Sequence, residues 1–316
     1  MQSEPSTTAE TITGSIGGLS DLLDGEENTS DYELSSDSKL PPVPGTTIQQ
    51  VFGVPPNVPA HTWQVCDHST FNVRQGPNYS RHKKKGPSGL PIYEAFAVDT
   101  FCARKRIDHI AQFLTLPDVQ NLDTHSEFVP PILMIQLQLP SDSPPLFKTV
   151  EDGPGWAIVM YFKITEWACN ELKDLATASP AIQLFAKYCE FAETDFAWRS
   201  RFKVITYCSN LDEMGVPSVI SSYNAKPVII RRTGSIFRGP THMEIDIHIH
   251  KFANLAKKSI HLLSSHCGLM YMQIGFVVEG RTDEELPETL FACVGVNRPV
   301  EEKAEFLFDD EDESVQ

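Results

Sequence analysis

Seven consecutive residues, Trp156-Ala157-Ile158-Val159-Met160-Tyr161-Phe162, carry no charge and are rich in strand-forming side chains. A run of that length between glycine and proline signals reads as a strand apolar on both faces, and such a strand belongs in the middle of a sheet. Ile132-Leu133-Met134-Ile135-Gln136-Leu137-Gln138-Leu139 reads as a second strand, and the pattern continues over residues 201–208, 228–232, 242–250, 270–278 and 290–296. Helices are fewer. One is expected over 251–267, with Phe252, Leu255, Ala256, Ser259, Leu262, Leu263 and His266 inward and Lys257, Lys258 and His261 outward; another is expected over 181–194. Strands and helices do not alternate as a parallel βαβ sheet requires. The expected class is therefore α+β: a curved, largely antiparallel sheet packed on a few helices, in a single domain with disordered acidic termini.

Charge locates the ends of that domain. Residues 1–60 carry −8 and residues 301–316 carry −7, which leaves −1 of the formal −16 on residues 61–300. The first 60 residues are rich in Ser, Thr, Gly, Pro, Asp and Glu, a composition that buries too little apolar surface to order itself. Within them Leu19, Leu22 and Leu23 would share a face only if a partner supplied a groove. The Pro-rich run 41–59 reads as an extended linker, and the domain is expected to begin at His61-Thr62-Trp63 and run to residue 300. The near-neutral domain and acidic ends disfavour nucleic acid as a partner. Seven scattered cysteines without a CxxC pair read as reduced core thiols. With neither a secretory start nor an apolar run of roughly 20 residues, the expected location is the cytosol or the cytosolic face of a membrane.

Two polar constellations stand out. In His242-Met243-Glu244-Ile245-Asp246-Ile247-His248-Ile249-His250 the period-two alternation puts Met243, Ile245, Ile247 and Ile249 on the core face and His, Glu, Asp, His, His on the other. The expected reading of that second face is solvent exposure or salt bridges to Arg231 or Arg232, with His248 and His250 the candidates if a metal were held. The second constellation is basic: Arg81-His82-Lys83-Lys84-Lys85, flanked by Gly-Pro turns, with Arg104-Lys105-Arg106 nearby in sequence. A basic loop on a near-neutral domain attracts anionic lipid headgroups at roughly 1 kcal/mol per cation close to the surface. No Gly-x-Ser-x-Gly elbow and no Gly-rich phosphate loop after a strand is present, and no cofactor is expected.

The ordered motifs are Phe71-Asn72-Val73-Arg74-Gln75-Gly76-Pro77-Asn78-Tyr79, Lys83-Lys84-Lys85, Tyr93-Glu94-Ala95-Phe96-Ala97-Val98-Asp99, Phe202-Lys203-Val204-Ile205, Lys226-Pro227, Met243-Glu244-Ile245-Asp246-Ile247 and Glu285-Leu286-Pro287-Glu288. In this order, from Trp63 to Arg298, the chain resembles the C-terminal domain of the plant Enhanced Disease Resistance protein family, once a domain of unknown function. The resemblance marks Trp63, Arg74, Gly76, Pro77, Asn78, Tyr79, Asp99, Phe202, Lys203, Glu244, Asp246, Leu286, Pro287 and Glu288 as family-motif positions. It implies lipid-linked regulation without an enzymatic step, because in the plant relatives this domain commonly follows a pleckstrin-homology and a START domain. Sixty residues leave no room for those companions, so the membrane targeting they provide is expected to be absent or to come from this domain itself. The family strand usually continues with aspartate where this chain has His248 and His250, so the histidines are no inherited metal site.

The function expected from the sequence is thus a non-catalytic lipid-binding or membrane-associated regulatory module, with an apolar cavity or groove enclosed by the sheet and the loop Arg81 to Lys85 on anionic headgroups. The alternatives are an adaptor recruiting proteins through residues 1–60, and a hydrolase using buried Asp99, Glu244 or Asp246.

Overall fold

The computed structural model describes residues 40–119, 122–145 and 150–308. The described strands are β1 (Gln49–Gln50), β2 (Thr62–Gln64), β3 (Asn72–Arg74), β4 (Lys85–Pro87), β5 (Tyr93–Ala103), β6 (Ile132–Pro140), β7 (Gly155–Ile164), β8 (Phe202–Cys208), β9 (Pro227–Ile229), β10 (Gly234–Arg238), β11 (His242–His248), β12 (Tyr271–Val278), β13 (Leu290–Asn297) and β14 (Glu305–Phe306). The helices are α1 (Tyr79–His82), α2 (Glu166–Leu172), α3 (Pro180–Phe191), α4 (Phe196–Arg199), α5 (Ser218–Ser221) and α6 (Asn254–Ser264). The α+β class read from the sequence is the class found.

The strands form two six-stranded sheets, in the orders β1-β2-β13-β12-β8-β9 and β10-β11-β6-β7-β5-β14, plus the small pair β3-β4. Most pairings are antiparallel; β1 with β2, β11 with β6, and β14 with β5 are parallel. The uninterrupted apolar run lies on β7, flanked by β6 and β5 in the interior of the second sheet. Its alternate residues serve different cores. Trp156, Ile158, Met160 and Phe162 join the main core, whereas Ala157, Val159 and Tyr161 join a second one with Ile107, Ile110 and Leu114. A strand apolar on both faces is what two covered faces demand.

Aromatic rings fill the space where the two sheets meet. Phe162 of β7 meets Phe276 of β12 at 6.1 Å between centroids, Phe276 meets Phe291 at 6.1 Å, and Phe185 of α3 packs on Phe291 at 5.0 Å. The apolar cavity expected inside the sheet is occupied at this point by side chains. Two hollows lie elsewhere: one of about 210 Å³ beside Leu90, Trp167 and Pro180, and one of about 400 Å³ beside Arg74, Tyr79 and Arg281.

The compact unit begins at Pro41, twenty residues earlier than the sequence suggests. Ile48 and Val58 are buried, and β1 pairs with β2. The anchor is Asp99, whose carboxylate accepts hydrogen bonds from the Gly45 and Thr47 amides at 2.7 and 2.8 Å and from the Thr47 hydroxyl at 2.9 Å. The Pro-rich run is thus a strap held to the body by this buried carboxylate, by β1-β2 pairing and by bonds from Tyr271 and Arg298 to the Pro56 and Val58 carbonyls. At the other end Glu305–Phe306 adds β14 to β5, so ordered structure passes residue 300. Residues 1–39, with Leu19, Leu22 and Leu23, and residues 309–316 lie outside the described residues. Asp99→Ala is expected to cost about 3 kcal/mol, since it leaves two amides without their charged acceptor. Urea unfolding measures the loss, and protease cleavage within residues 41–50 should accelerate.

Around helix α6 Phe252 and Leu263 pack on the core and Lys258 is exposed, as the sequence suggests, but Lys257, Leu255 and Leu262 depart from the expected faces. Lys257 is buried and donates to the carbonyls of Val150 and His250 at 2.8 and 3.0 Å, while Leu255 is 80% exposed and Leu262 39%. The two backbone carbonyls draw the ammonium inward, and Leu255 and Leu262 are left outside.

Candidate functional site

The Gly-Pro turns around the basic cluster fold it into a hairpin. β3 pairs antiparallel with β4, Arg74 opposite Lys85, and the single turn α1 lies between them. Asn78 and Lys83, at the two ends of α1, both adopt the left-handed conformation, φ 62° and 53°. Asparagine tolerates that region; a lysine there is uncommon. The Lys83 amide bonds the Tyr79 carbonyl at 2.9 Å, closing the turn. Arg81, His82, Lys83, Lys84 and Lys85 are all exposed.

Beneath the hairpin lies a buried network of ions. Glu288 Oε1 accepts from Lys203 Nζ at 2.6 Å and from the Gly280 amide at 2.9 Å, and Oε2 accepts from the Arg74 amide at 3.2 Å. Glu279 holds Arg74 through Oε1 at 2.8 Å and Arg281 through Oε2 at 3.0 Å. Burial pulls the Lys203 ammonium below its ordinary pKa, and the Glu288 carboxylate works against that pull. The Arg74 guanidinium also lies over the Tyr79 ring, 4.9 Å from its centroid, with Lys83 Nζ 5.5 Å away. A Cβ at Gly76 would come within 3.1 Å of Leu286 Cβ, so glycine eases the close approach of hairpin and Leu286-Pro287-Glu288. Arg74, Gly76, Pro77, Asn78, Tyr79, Lys203, Leu286, Pro287 and Glu288, dispersed in sequence, therefore meet in one place.

Charge divides cleanly between the two levels. Arg74, Lys203 and Arg281 are each paired with Glu279 or Glu288. Arg81, Lys84 and Lys85 make no ion pair among the described residues. The groove of about 400 Å³ beside Tyr79 and Lys83 carries both signs, with Asp283 and Glu284 on its rim. Net positive charge thus sits at the hairpin tip.

The second basic block does not join it. Arg106, beyond β5 of the other sheet, forks onto Asp108 at 3.1 and 2.8 Å and donates to the Glu151 carbonyl at 2.8 Å. Arg104 and Lys105 are exposed beside it.

The polar face of β11 is buried, not solvent-facing. Glu244, Asp246, His248 and His250 are 0 to 4% exposed, while Arg231 and Arg232, the partners expected from the sequence, are exposed. The cover is the segment 107–111. Its Ile110 and Ala111 amides donate to the two oxygens of Glu244 at 2.7 and 3.0 Å, and its His109 amide to Asp246 Oδ2 at 3.0 Å. Burial first, and then the charge of Glu244, push the Asp246 carboxyl well above the usual carboxylate range. The His248 contact and the Arg106 fork hold Asp108 well below it. Sequence reasoning missed Asp108 and His109: no local signal tells which loop will cover a strand. His250 departs from the ladder altogether. β11 ends at His248, and the His250 ring packs on Gly155, where a Cβ would lie 2.9 Å from Cε1.

The remaining marked positions are structural in their contacts. Trp63 is buried on β2, Phe202 stacks on Phe276 at 6.1 Å, and Asp99 pins the strap. Asp99 and Glu244 each commit both carboxylate oxygens to backbone amides. Among the described residues no helix is long and apolar enough to cross a membrane.

A family model described as "Protein ENHANCED DISEASE RESISTANCE 2, C-terminal" matches residues 63–298. The chain belongs to the Enhanced Disease Resistance 2 C-terminal family. A curated relative, "Protein ENHANCED DISEASE RESISTANCE 2-like" of Arabidopsis thaliana, is 26% identical over 238 residues, 74% of this chain and 28% of that protein. The chain therefore spans under a third of the relative's length. No solved structure matches. Within the Enhanced Disease Resistance 2 C-terminal match fall both the hairpin with its ion network and the β11 ladder with its cover.

Proposed function

We propose that this chain is a non-catalytic regulatory module that meets anionic lipid headgroups through the β3-β4 hairpin, at the cytosolic face of a membrane. One observation carries the reading: Arg81, Lys83, Lys84 and Lys85 stand exposed together on one short hairpin, while the cations below them are paired with buried carboxylates. The buried network supports a rigid presentation of the tip, because moving the hairpin would uncouple Arg74 from Glu279 and Glu288. Headgroup contact suits this arrangement better than enclosure of an acyl chain, since aromatic rings occupy the space between the sheets. The relative's name places it in disease resistance, and a regulatory role of that kind at a membrane is the wider proposal.

Sedimentation with vesicles tests it. Full-length chain is expected to bind vesicles containing phosphatidylserine or phosphoinositide and not pure phosphatidylcholine. Changing Lys83, Lys84 and Lys85 together to alanine should weaken binding by on the order of 100-fold, at about 1 kcal/mol per cation. Binding indifferent to the triple change, or absent in the wild type, contradicts the reading.

A further inference from the structure

The β11 ladder offers donor groups arranged as a cation would need them. His248 Nε2 lies 3.0 Å from Asp108 Oδ1 and 3.9 Å from Asp246 Oδ2. The ligand atoms of Asp108, Asp246 and His248 all fall within 4.8 Å of one another. Two ligands on a tetrahedral zinc with bonds near 2.1 Å stand about 3.4 Å apart, so these separations bracket what one ion requires. Buried Asp246 accepts from the His109 amide through Oδ2 and has no hydrogen-bond partner at Oδ1, and fully buried His248 makes no hydrogen bond through either ring nitrogen among the described residues. Buried polar atoms without a partner are expensive. A bound cation supplies the missing partner.

Charge points the same way. Asp108, Asp246 and Glu244 bring three carboxyl groups against one guanidinium, Arg106. Arg106 grips Asp108 at 3.1 and 2.8 Å, and the His109 amide holds Asp246 at 3.0 Å; outer partners of this kind orient metal-binding carboxylates. Asp108, whose side chain is 44% exposed, gives the buried pair a way to solvent. A neighbouring group, His109, His242 and Glu244, has similar spacing but offers a single carboxylate, against two here.

We propose that Asp108, Asp246 and His248 form a site for one divalent cation of the zinc or manganese class, completed by water on the Asp108 side. The cation ties the 107–111 cover to β11.

The test uses untagged full-length protein, stripped with chelator and titrated calorimetrically with Zn²⁺ and with Mn²⁺. The proposal expects uptake of one ion per chain. Asp108→Asn, at a half-exposed position where folding should persist, is expected to weaken uptake at least tenfold with an unchanged circular dichroism spectrum. His248→Gln should do the same, and His82→Ala, on the exposed hairpin, should leave uptake intact. Hydrogen exchange of the 107–111 amides should slow when the ion is added to wild type. No stoichiometric uptake of either ion, uptake unaffected by Asp108→Asn, or uptake lost in His82→Ala overturns the site.

Discussion

Glu288→Ala is expected to lower the unfolding free energy by about 4 kcal/mol, enough to leave the protein partly unfolded at 37 °C, because removing one partner strands the other's charge in the interior. The side chains of Lys203 and Glu288 are 4% and 1% exposed, so water cannot replace the lost contact. The Gly280 amide and the Arg74 guanidinium lose the same acceptor. Replacing both partners, Lys203→Met with Glu288→Leu, should recover most of the loss, since an apolar pair of similar volume carries no stranded charge. Guanidinium unfolding of the single and double variants measures this. A single-variant loss below about 1 kcal/mol would mean that the network is hydrated and does not brace the hairpin.

Phe276→Ala is the second large effect, expected at about 4 kcal/mol. Its ring touches Phe162 across the sheets and Phe202 and Phe291 within its own sheet, so truncation opens a hole with three rigid walls that cannot collapse easily. Leu255→Ala on α6 serves as the contrast. At 80% exposure that leucine should change stability by less than about 0.5 kcal/mol, although the helical pattern assigns it to the core. Equal losses at the two positions would contradict the packing described.

Features set by a residue and its near neighbours were legible from the sequence. The two-faced β7, the alternation of Met243, Ile245, Ile247 and Ile249, and the position of the basic cluster on a turn all follow from local patterns, and the structure has them. Features decided by what a distant segment brings were not. The β11 ladder reads as a solvated face until 107–111 lies over it, and Lys257 reads as an outer residue until Val150 and His250 present their carbonyls. The strap 41–60 has the composition of a linker and is held by Asp99, over fifty residues away in the chain. The ion network joins positions over two hundred residues apart, such as Arg74 and Glu288, and only the resemblance to a family marked them together beforehand.

Hydrogen exchange of the full-length chain, with and without vesicles, reports which surface meets the membrane. The hairpin account predicts slowed exchange of amides in residues 78–88 on vesicles carrying anionic lipid, no change on phosphatidylcholine alone, and loss of the protection near 1 M salt, where charges are screened beyond about 3 Å. Exchange in 78–88 that ignores anionic vesicles, while the chain sediments with them through another surface, would contradict it.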